Sequence, residues 1–515
     1  VSKLRLAEAS PTGWSSALSL AEDRRRSGRD VHIVDKPVSD GAAQAGGRID
    51  VFVFYDTETT GLNRDFDQIL QFAAILTDDA LNEVDRFNIR CRCRPWTVPA
   101  PIALKVTGVR PTHLSDPALP SLYDMMGTVR ARLEHWSPAL FVGYNTMRFD
   151  EPRLQRAFWE TLNPPYLTVT HGNARFDILP LVQAASHLVP GILDYPVSAN
   201  GRTGFRLDAL APLNGFAHAN AHDALGDVEA TIHIARILAQ RAPALWMAAV
   251  RSAPKAAKVA VLRSDAPVLI VEYLANGPAV WWGRRIDGAG ATGSTALVAR
   301  LSADWAALSR TDDTGLEAVL SGSPRPLRQV GLNKGPILFE AAAAQAHWGL
   351  APSASEQAQN AWLAEEVSFR ERLLRLNTAL APEWPQAEHL EQMIHAGFPN
   401  RADEARMARF HQIDWPARAG LVREFEDVRL RQLGQRLVFE AAPHLLAPAD
   451  RDRLAQAIAG RLHLDHRDDA LWRSIPAARR ELQELREDAA ASGLADEIED
   501  WLAALAARFP VTTPA

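Results

Sequence analysis

The spacing of apolar positions changes along the chain, and each change predicts a different kind of element. Residues 1–49 are rich in Ser, Gly, Ala and mixed charge, Arg24 to Arg26 included, and hold no sustained period. That composition predicts a flexible extension with a short helical turn over residues 18–22. An unbroken apolar run at residues 51–55 then reads as a buried strand closed by Gly61, and a second run at residues 141–144 reads as another strand leading into a helix. FNIRCRCRP also reads as a strand, with Cys91 and Cys93 on one face and arginines on the other. Further on, Ala224, Val228, Ile232, Ala235 and Leu238 recur at roughly helical spacing. RAPALWMAAVRSAPKAAK reads as a helical exit and a linker, after which KVAVL, PVLIVEYL, AVWWGRRI and TALVAR are strand-like, with Gly/Asp-rich turns between them. Trp281 and Trp282 are adjacent, which predicts one in the core and the other partly exposed, where it could stack on a base. From about residue 353, apolar and charged residues alternate at three and four spacing, as amphipathic helices require. These shifts divide the chain into an extension (1–49), an α/β domain (50–242), a β domain (243–352), a helical domain (353–508) and a tail (509–515). A chain of 515 residues exceeds one typical core, so a multidomain α/β (α+β) architecture is expected.

Candidate chemistry gathers in the first half. In VFVFYDTETTG, Asp56 and Glu58 are two residues apart on a strand and project to the same side. Two carboxylates on one face repel unless a cation lies between them, and hard oxygen ligands suit Mg²⁺ or Mn²⁺. An ordinary solvated strand end is the plainer alternative. In FVGYNTMRFDEPRL, Asp150 falls near a helix start, where the macrodipole alone would favour an acid. In NAHDALGDVEATIHIARIL, His222 and Asp227 are five residues apart; on one ideal helix they would point about 140° apart. To share a site, His222 must lie in the preceding loop or cap while Asp227 lies on the helix. Asp223 reads as a cap or first-turn acid, one turn from Asp227, and could pass for the ligand.

Taken together, the order D-x-E, D, H-x4-D resembles the DnaQ-like superfamily of 3′→5′ exonucleases in its histidine-bearing (DEDDh) branch. GYNTMRFDEP, GNARFDILPL, GFRLDALAPLNGFAHANAHDALGDVEAT and the later GLNKGPIL are similar to exodeoxyribonuclease I. The resemblance implies a ribonuclease H-like DnaQ-type exonuclease domain, an SH3-like β-barrel and a helical carboxy-terminal domain. It makes Asp56, Glu58, Asp150 and Asp227 ligands of two Mg²⁺ ions, with Mn²⁺ as a substitute, and His222 the general base. Two cations roughly 4 Å apart can lower the pKa of a bridging water and offset charge on the phosphate, while histidine titrates near neutrality and can take the proton. The implied activity is single-strand-specific 3′→5′ exodeoxyribonuclease action releasing 5′-mononucleotides, in DNA repair and recombination. Another DnaQ-like enzyme, of proofreading or RNase type, and a non-catalytic single-stranded-DNA-binding protein are the alternatives. Candidates for substrate contact are Glu58, Arg206 in GFRLDAL, Asn145 and Arg148 before Asp150, and Arg175 in GNARFD. VTGVRPTHL resembles the loop beside the terminal base, with His113 expected on the surface. The implied partners are single-stranded DNA and the acidic carboxy-terminal tail of the single-stranded DNA-binding protein, and a monomer is expected. Two features depart from the family pattern: Thr57 and Thr60 stand where exodeoxyribonuclease I commonly carries an aromatic residue and a phenylalanine, and about fifty residues precede the first motif.

Charge and cysteine content refine this picture. A net charge of −6 is unusual for a nucleic-acid enzyme, so the arginines must cluster locally if they are to meet phosphates. Cys91 and Cys93 are too few for a metal site and too close for an unstrained disulfide, which predicts buried thiols in a reducing compartment. No apolar run approaches the length of a membrane span, and VSKLRLAEAS lacks the apolar stretch of a secretory signal; a cytoplasmic protein with no membrane association is expected.

Overall fold

The computed structural model describes residues 51–217, 223–274, 277–288, 293–333, 335–381, 386–465, 471–488 and 491–511. The predicted extension and its helical turn lie outside the described residues. The first sheet has the order β3-β2-β1-β4-β5, built from β1 (Phe52–Thr59), β2 (Ile69–Thr77), β3 (Glu83–Arg90), β4 (Leu140–Gly143) and β5 (Ala174–Asp177). The pairs β1/β2 and β2/β3 are antiparallel, whereas β4 runs parallel to both β1 and β5. Strand β1 is central and covered on both faces, which explains its unbroken apolar run. Phe52 and Phe54 pack into one core with Val228, Ile232 and Ala235 of the helix Ala224–Arg241. Val53 and Tyr55 pack into another with Met125, Val129 and Leu133 of Leu122–His135 and Leu154 and Phe158 of Asp150–Glu160.

Alternation along β1 therefore assigns each motif residue to a helix before any chemistry is considered. Asp56 and Glu58 continue the face of Phe52 and Phe54, toward the helix bearing Asp227. Thr57 continues the face of Val53 and Tyr55, toward the helix that begins at Asp150.

A second sheet has the order β10-β6-β7-β8-β9, all antiparallel: β6 (Val268–Leu274), β7 (Gly277–Arg285), β8 (Thr295–Arg300), β9 (Leu327–Gly331) and β10 (Ile337–Glu340). Three local expectations differ here and nearby. KVAVL is not a strand but part of the helix Lys255–Arg263, continuing an alanine-rich lead-in, and the expected linker is largely this helix together with Pro243–Arg251. Trp281 and Trp282 are both buried, because helices cover both faces; Trp282 joins the first core and Trp281 packs with Leu262 and Val298 under Arg300, whose guanidinium lies 4.2 Å from its ring. Strand β3 ends at Arg90, so Cys91 and Cys93 do not share a strand face: Cys93 donates its backbone N–H to Leu114, and the two buried thiols join different cores.

The helical stretch divides by its packing. Ala354–Glu365 and Val367–Ala379 send Leu363, Phe369 and Leu373 into the core shared with the second sheet. Later helices form two cores that also take in side chains of the first part of the chain. Phe410, Leu430 and Leu437 pack with Tyr123, Trp159 and Leu162, and Leu482, Ile498 and Leu502 pack with Leu70, Trp96 and Leu104. Among the described residues, no helix is long and apolar enough to cross a membrane.

Candidate active site

The carboxyl end of β1 opens into a cleft of about 820 Å³ that Asp56, Glu58, Asp150 and Asp227 all line. It lies where β1 and β4 run parallel, the edge of an open α/β sheet at which ligands collect. Carboxylate oxygens of Asp56, Glu58 and Asp227 approach within 4.8 Å of one another. The helix Ala224–Arg241 brings Asp227 there from its first turn. Asp223 is the cap: its Oδ1 accepts from the Leu225 N–H at 3.1 Å, and its Oδ2 is held by Arg90 at 2.5 Å and Gln71 at 3.3 Å. Of these two acids, only Asp227 belongs to the three-carboxylate cluster.

Asp150 opens its helix with its side chain buried. Oδ1 accepts both the Thr57 N–H at 3.1 Å and the Thr57 hydroxyl at 2.5 Å. The next residue, Glu151, is a buried hub that accepts from Tyr55 (2.7 Å), Thr168 (2.5 Å) and Gln155 (2.7 Å) and pairs with Arg175 (2.7 Å).

Burial and mutual repulsion dominate the electrostatics. The Asp56 carboxyl is held well above the usual range by burial and then by the charges of Asp150, Asp227 and Glu58. Glu58 is pushed up to about 9 by burial, with Asp227 and Asp150 adding to the effect. Asp150 rises to about 7 through burial, against the opposing hydrogen bonds of Thr57. Such a cluster is under electrostatic stress that a divalent cation relieves, and its donors are all carboxylate oxygens, the ligand type of Mg²⁺ and Mn²⁺.

The remaining candidates separate clearly. Asn145 lines the cleft at φ 63°, a left-handed conformation that asparagine tolerates, and its N–H is held by Asp177 at 2.8 Å. Two residues earlier, Gly143 allows β4 to close on β1, since a Cβ there would stand 2.9 Å from the Tyr55 carbonyl. Arg148 is exposed and does not line the cleft. Arg206 is also outside it, with a 78% exposed side chain paired to Asp208 at 2.7 Å. Arg175 corrects its expectation, because it is buried against Glu151 and the Asn333 carbonyl and is not presented to the cleft. In VTGVRPTHL, Val106 and Thr107 line the cleft and His113 is exposed. His222 lies outside the described residues.

Sequence reasoning missed the opposite wall. Leu471, Trp472 and Arg473, just before the helix Ile475–Arg486, and Ala477, Arg480 and Glu481 on it complete the cleft from the carboxy-terminal part. The turn after Glu58 is fastened to them: Asn63 donates to the Leu471 carbonyl at 2.7 Å, and Phe66 lies 5.6 Å from the Trp472 ring. Arg461 covers both rings, 4.9 Å from Phe66 and 4.8 Å from Trp472. A tryptophan among arginines near the end of the sequence was the only available signal.

Comparison with known proteins agrees with this layout. A family described as Exonuclease matches residues 53–235, and the Exonuclease I C-terminal domain matches residues 388–507. The chain belongs to the exonuclease I family. Exodeoxyribonuclease I of Escherichia coli K12 is 32% identical over 216 residues, covering 41% of this chain and 43% of that protein. Exodeoxyribonuclease I of Haemophilus influenzae is 32% identical over 197 residues, 38% of this chain and 41% of that protein. The matched region thus spans less than half the length of these relatives. In three dimensions the likeness is longer. The crystal structure of E. coli exonuclease I in complex with a dA16 oligonucleotide covers 88% of this chain and 100% of its own, with a TM-score of 0.75 at 23% identity. A moderately thermophilic exonuclease I from Methylocaldum szegediense covers 88% and 99%, with a TM-score of 0.74 at 24% identity. The cleft is lined from both matched regions of the chain, by residues between Asp56 and Asp227 and between Leu471 and Glu481.

Proposed function

We propose that this family member is a single-strand-specific 3′→5′ exodeoxyribonuclease that releases 5′-mononucleotides by metal-assisted hydrolysis. The observation that carries the reading is the cluster of Asp56, Glu58 and Asp227, Glu58 buried and the other two half-buried, lining a cleft of about 820 Å³ with Asp150 beside it. The curated relatives bear the name exodeoxyribonuclease I, which supports the substrate class. Asp56, Glu58, Asp150 and Asp227 would hold two divalent cations, Mg²⁺ by preference with Mn²⁺ as a substitute. When bound, such ions lower the pKa of water and neutralise charge on the phosphate. His222, five residues before Asp227, would take the proton of the attacking water, a role that suits a group titrating near neutrality. Leu62, Ile102 and Val106 are exposed apolar residues lining the same cleft, a surface suited to flat bases without regard to sequence.

The reading extends to a cytoplasmic monomer acting in DNA repair and recombination, with the acidic tail of the single-stranded DNA-binding protein as a partner. It assigns residues 50–242 to the exonuclease domain, 243–352 to an SH3-like domain and 353–508 to the helical domain. A time course with Mg²⁺ on 5′-labelled single-stranded DNA, its blunt duplex and the matching RNA, run beside Asp56→Ala, tests it. Shortening of the DNA single strand alone from its 3′ end, lost in the variant, is the expected result. Equal or greater activity on RNA would move the protein to another branch, and cleavage by Asp56→Ala would remove that residue from the site.

A further inference from the structure

We propose that Thr57 is a positioning residue for Asp150, its hydroxyl fixing one carboxylate oxygen so that the group is aimed into the cleft before a cation arrives. The inference rests on the reading of the cleft as a cation site. Thr57 lies between two cluster acids but on the opposite face of β1, and its side chain is turned toward Asp150 and buried. The hydrogen bonds given to the Asp150 carboxylate by Thr57 both fall on Oδ1, one from the backbone and one from the hydroxyl. Any residue at position 57 other than proline would supply the first; only serine or threonine would supply the second in this geometry. A β-branched side chain also restricts χ1, so the hydroxyl direction is fixed by local sterics.

The backbone of Asp150 is secured independently. Tyr55, on the same face of β1 as Thr57, donates to Glu151 at 2.7 Å, and Arg175 pairs with Glu151 at 2.7 Å from β5. With the helix start held from two strands, the remaining freedom of Asp150 is its own rotamer. The Thr57 hydroxyl removes that freedom. Arg175, expected from the sequence to meet substrate, acts instead two contacts behind Asp150 as part of this seat.

Groups that orient a metal ligand typically change metal affinity about 10–100-fold when removed. The test is Mn²⁺ binding to the full chain without DNA, by titration calorimetry, for the wild type, Thr57→Val, Thr57→Ala, Thr57→Ser and Asp56→Ala. Both hydroxyl deletions are expected to weaken binding about tenfold or more, while Thr57→Ser stays within about threefold of wild type. The half-saturating Mg²⁺ concentration for cleavage should rise in parallel, with rescue by serine. Wild-type affinity in a folded Thr57→Val or Thr57→Ala would overturn the role of the hydroxyl while leaving the cation site intact. A serine variant as weak as the deletions would assign the effect to packing and also overturn it. If the wild type and Asp56→Ala alike bind no Mn²⁺, the cation reading itself fails and Thr57 has nothing to position.

Discussion

At the residue scale, two aspartates one helical turn apart have opposite fates. Asp223 caps the helix Ala224–Arg241 and is neutralised by Arg90, whereas Asp227 joins Asp56 and Glu58. Their alanine variants should therefore separate stability from chemistry. Asp227→Ala is expected to abolish cleavage, retain single-strand binding and leave the unfolding midpoint near or above wild type, since it relieves repulsion. Asp223→Ala should lose about 1 kcal/mol of stability, as cap deletions do, and retain measurable cleavage. Thermal unfolding and single-turnover cleavage of both variants check this; a dead Asp223→Ala beside an active Asp227→Ala would exchange their roles. The acids were legible in the sequence because their spacing encodes a shared strand face and a helix start. The arginines were not. A basic residue in a sequence does not disclose its partner, and Arg175 and Arg206 proved to be paired with Glu151 and Asp208.

At the element scale, β1 shows how far periodicity carries. A central strand covered on both faces is apolar throughout until its last turn of chemistry, and its alternation sorts Asp56 and Glu58 from Thr57. KVAVL failed for a matching reason, since a short apolar run has no period that separates strand from helix. Contacts between elements distant in sequence were also illegible, and His411 is one of them. Its Nε2 donates to the Leu162 carbonyl at 3.0 Å, which leaves Nδ1 to accept from the Tyr123 hydroxyl at 3.0 Å. Burial, reinforced by Arg130 and Arg418, lowers its pKa to about 4 against the hydrogen bond to Leu162, so the folded protein holds it neutral. Between the ordinary histidine value near 6.5 and about 4, the unfolded chain binds a proton that the folded chain does not. Stability contributed by neutral His411 is thus complete above pH 6.5 or so and declines as pH falls through that window. Denaturant midpoints measured from pH 7 to 4 should fall less steeply in His411→Gln than in wild type; identical slopes would remove His411 from the acid sensitivity.

On the scale of the whole molecule, the cleft has two walls from opposite ends of the sequence, and buried polar contacts hold them in register. Glu391 is central among these. It pairs with Arg436 at 2.9 Å and Arg461 at 2.5 Å, while Arg156 from the exonuclease part donates to its backbone carbonyl at 2.7 Å. Burial opposes its ionisation, but the two arginines outweigh that and lower its pKa to about 2. Its contribution is therefore fully present above the ordinary glutamate value near 4.5 and is lost as pH falls through about 2. Glu391→Ala leaves two arginines without their shared acid and is expected to cost about 3–5 kcal/mol, read as a lowered denaturant midpoint. A change within about 0.5 kcal/mol would show the pairing to be structurally idle. That sheet-bearing stretches give way to a helical one was visible in the sequence because strand and helix patterns differ in period. How the helices returned to wall the cleft was not, because residues 471–481 carry no spacing that names Asp56 as a neighbour.

The cation site is tested most directly by anomalous scattering from Mn²⁺ in crystals of the full chain. Density touching Asp56, Glu58 and Asp227, with a second peak reaching Asp150, is the predicted result, and it should vanish in Asp227→Ala. A wild-type protein that degrades single-stranded DNA in Mn²⁺ yet shows no peak at these carboxylates would contradict the assignment.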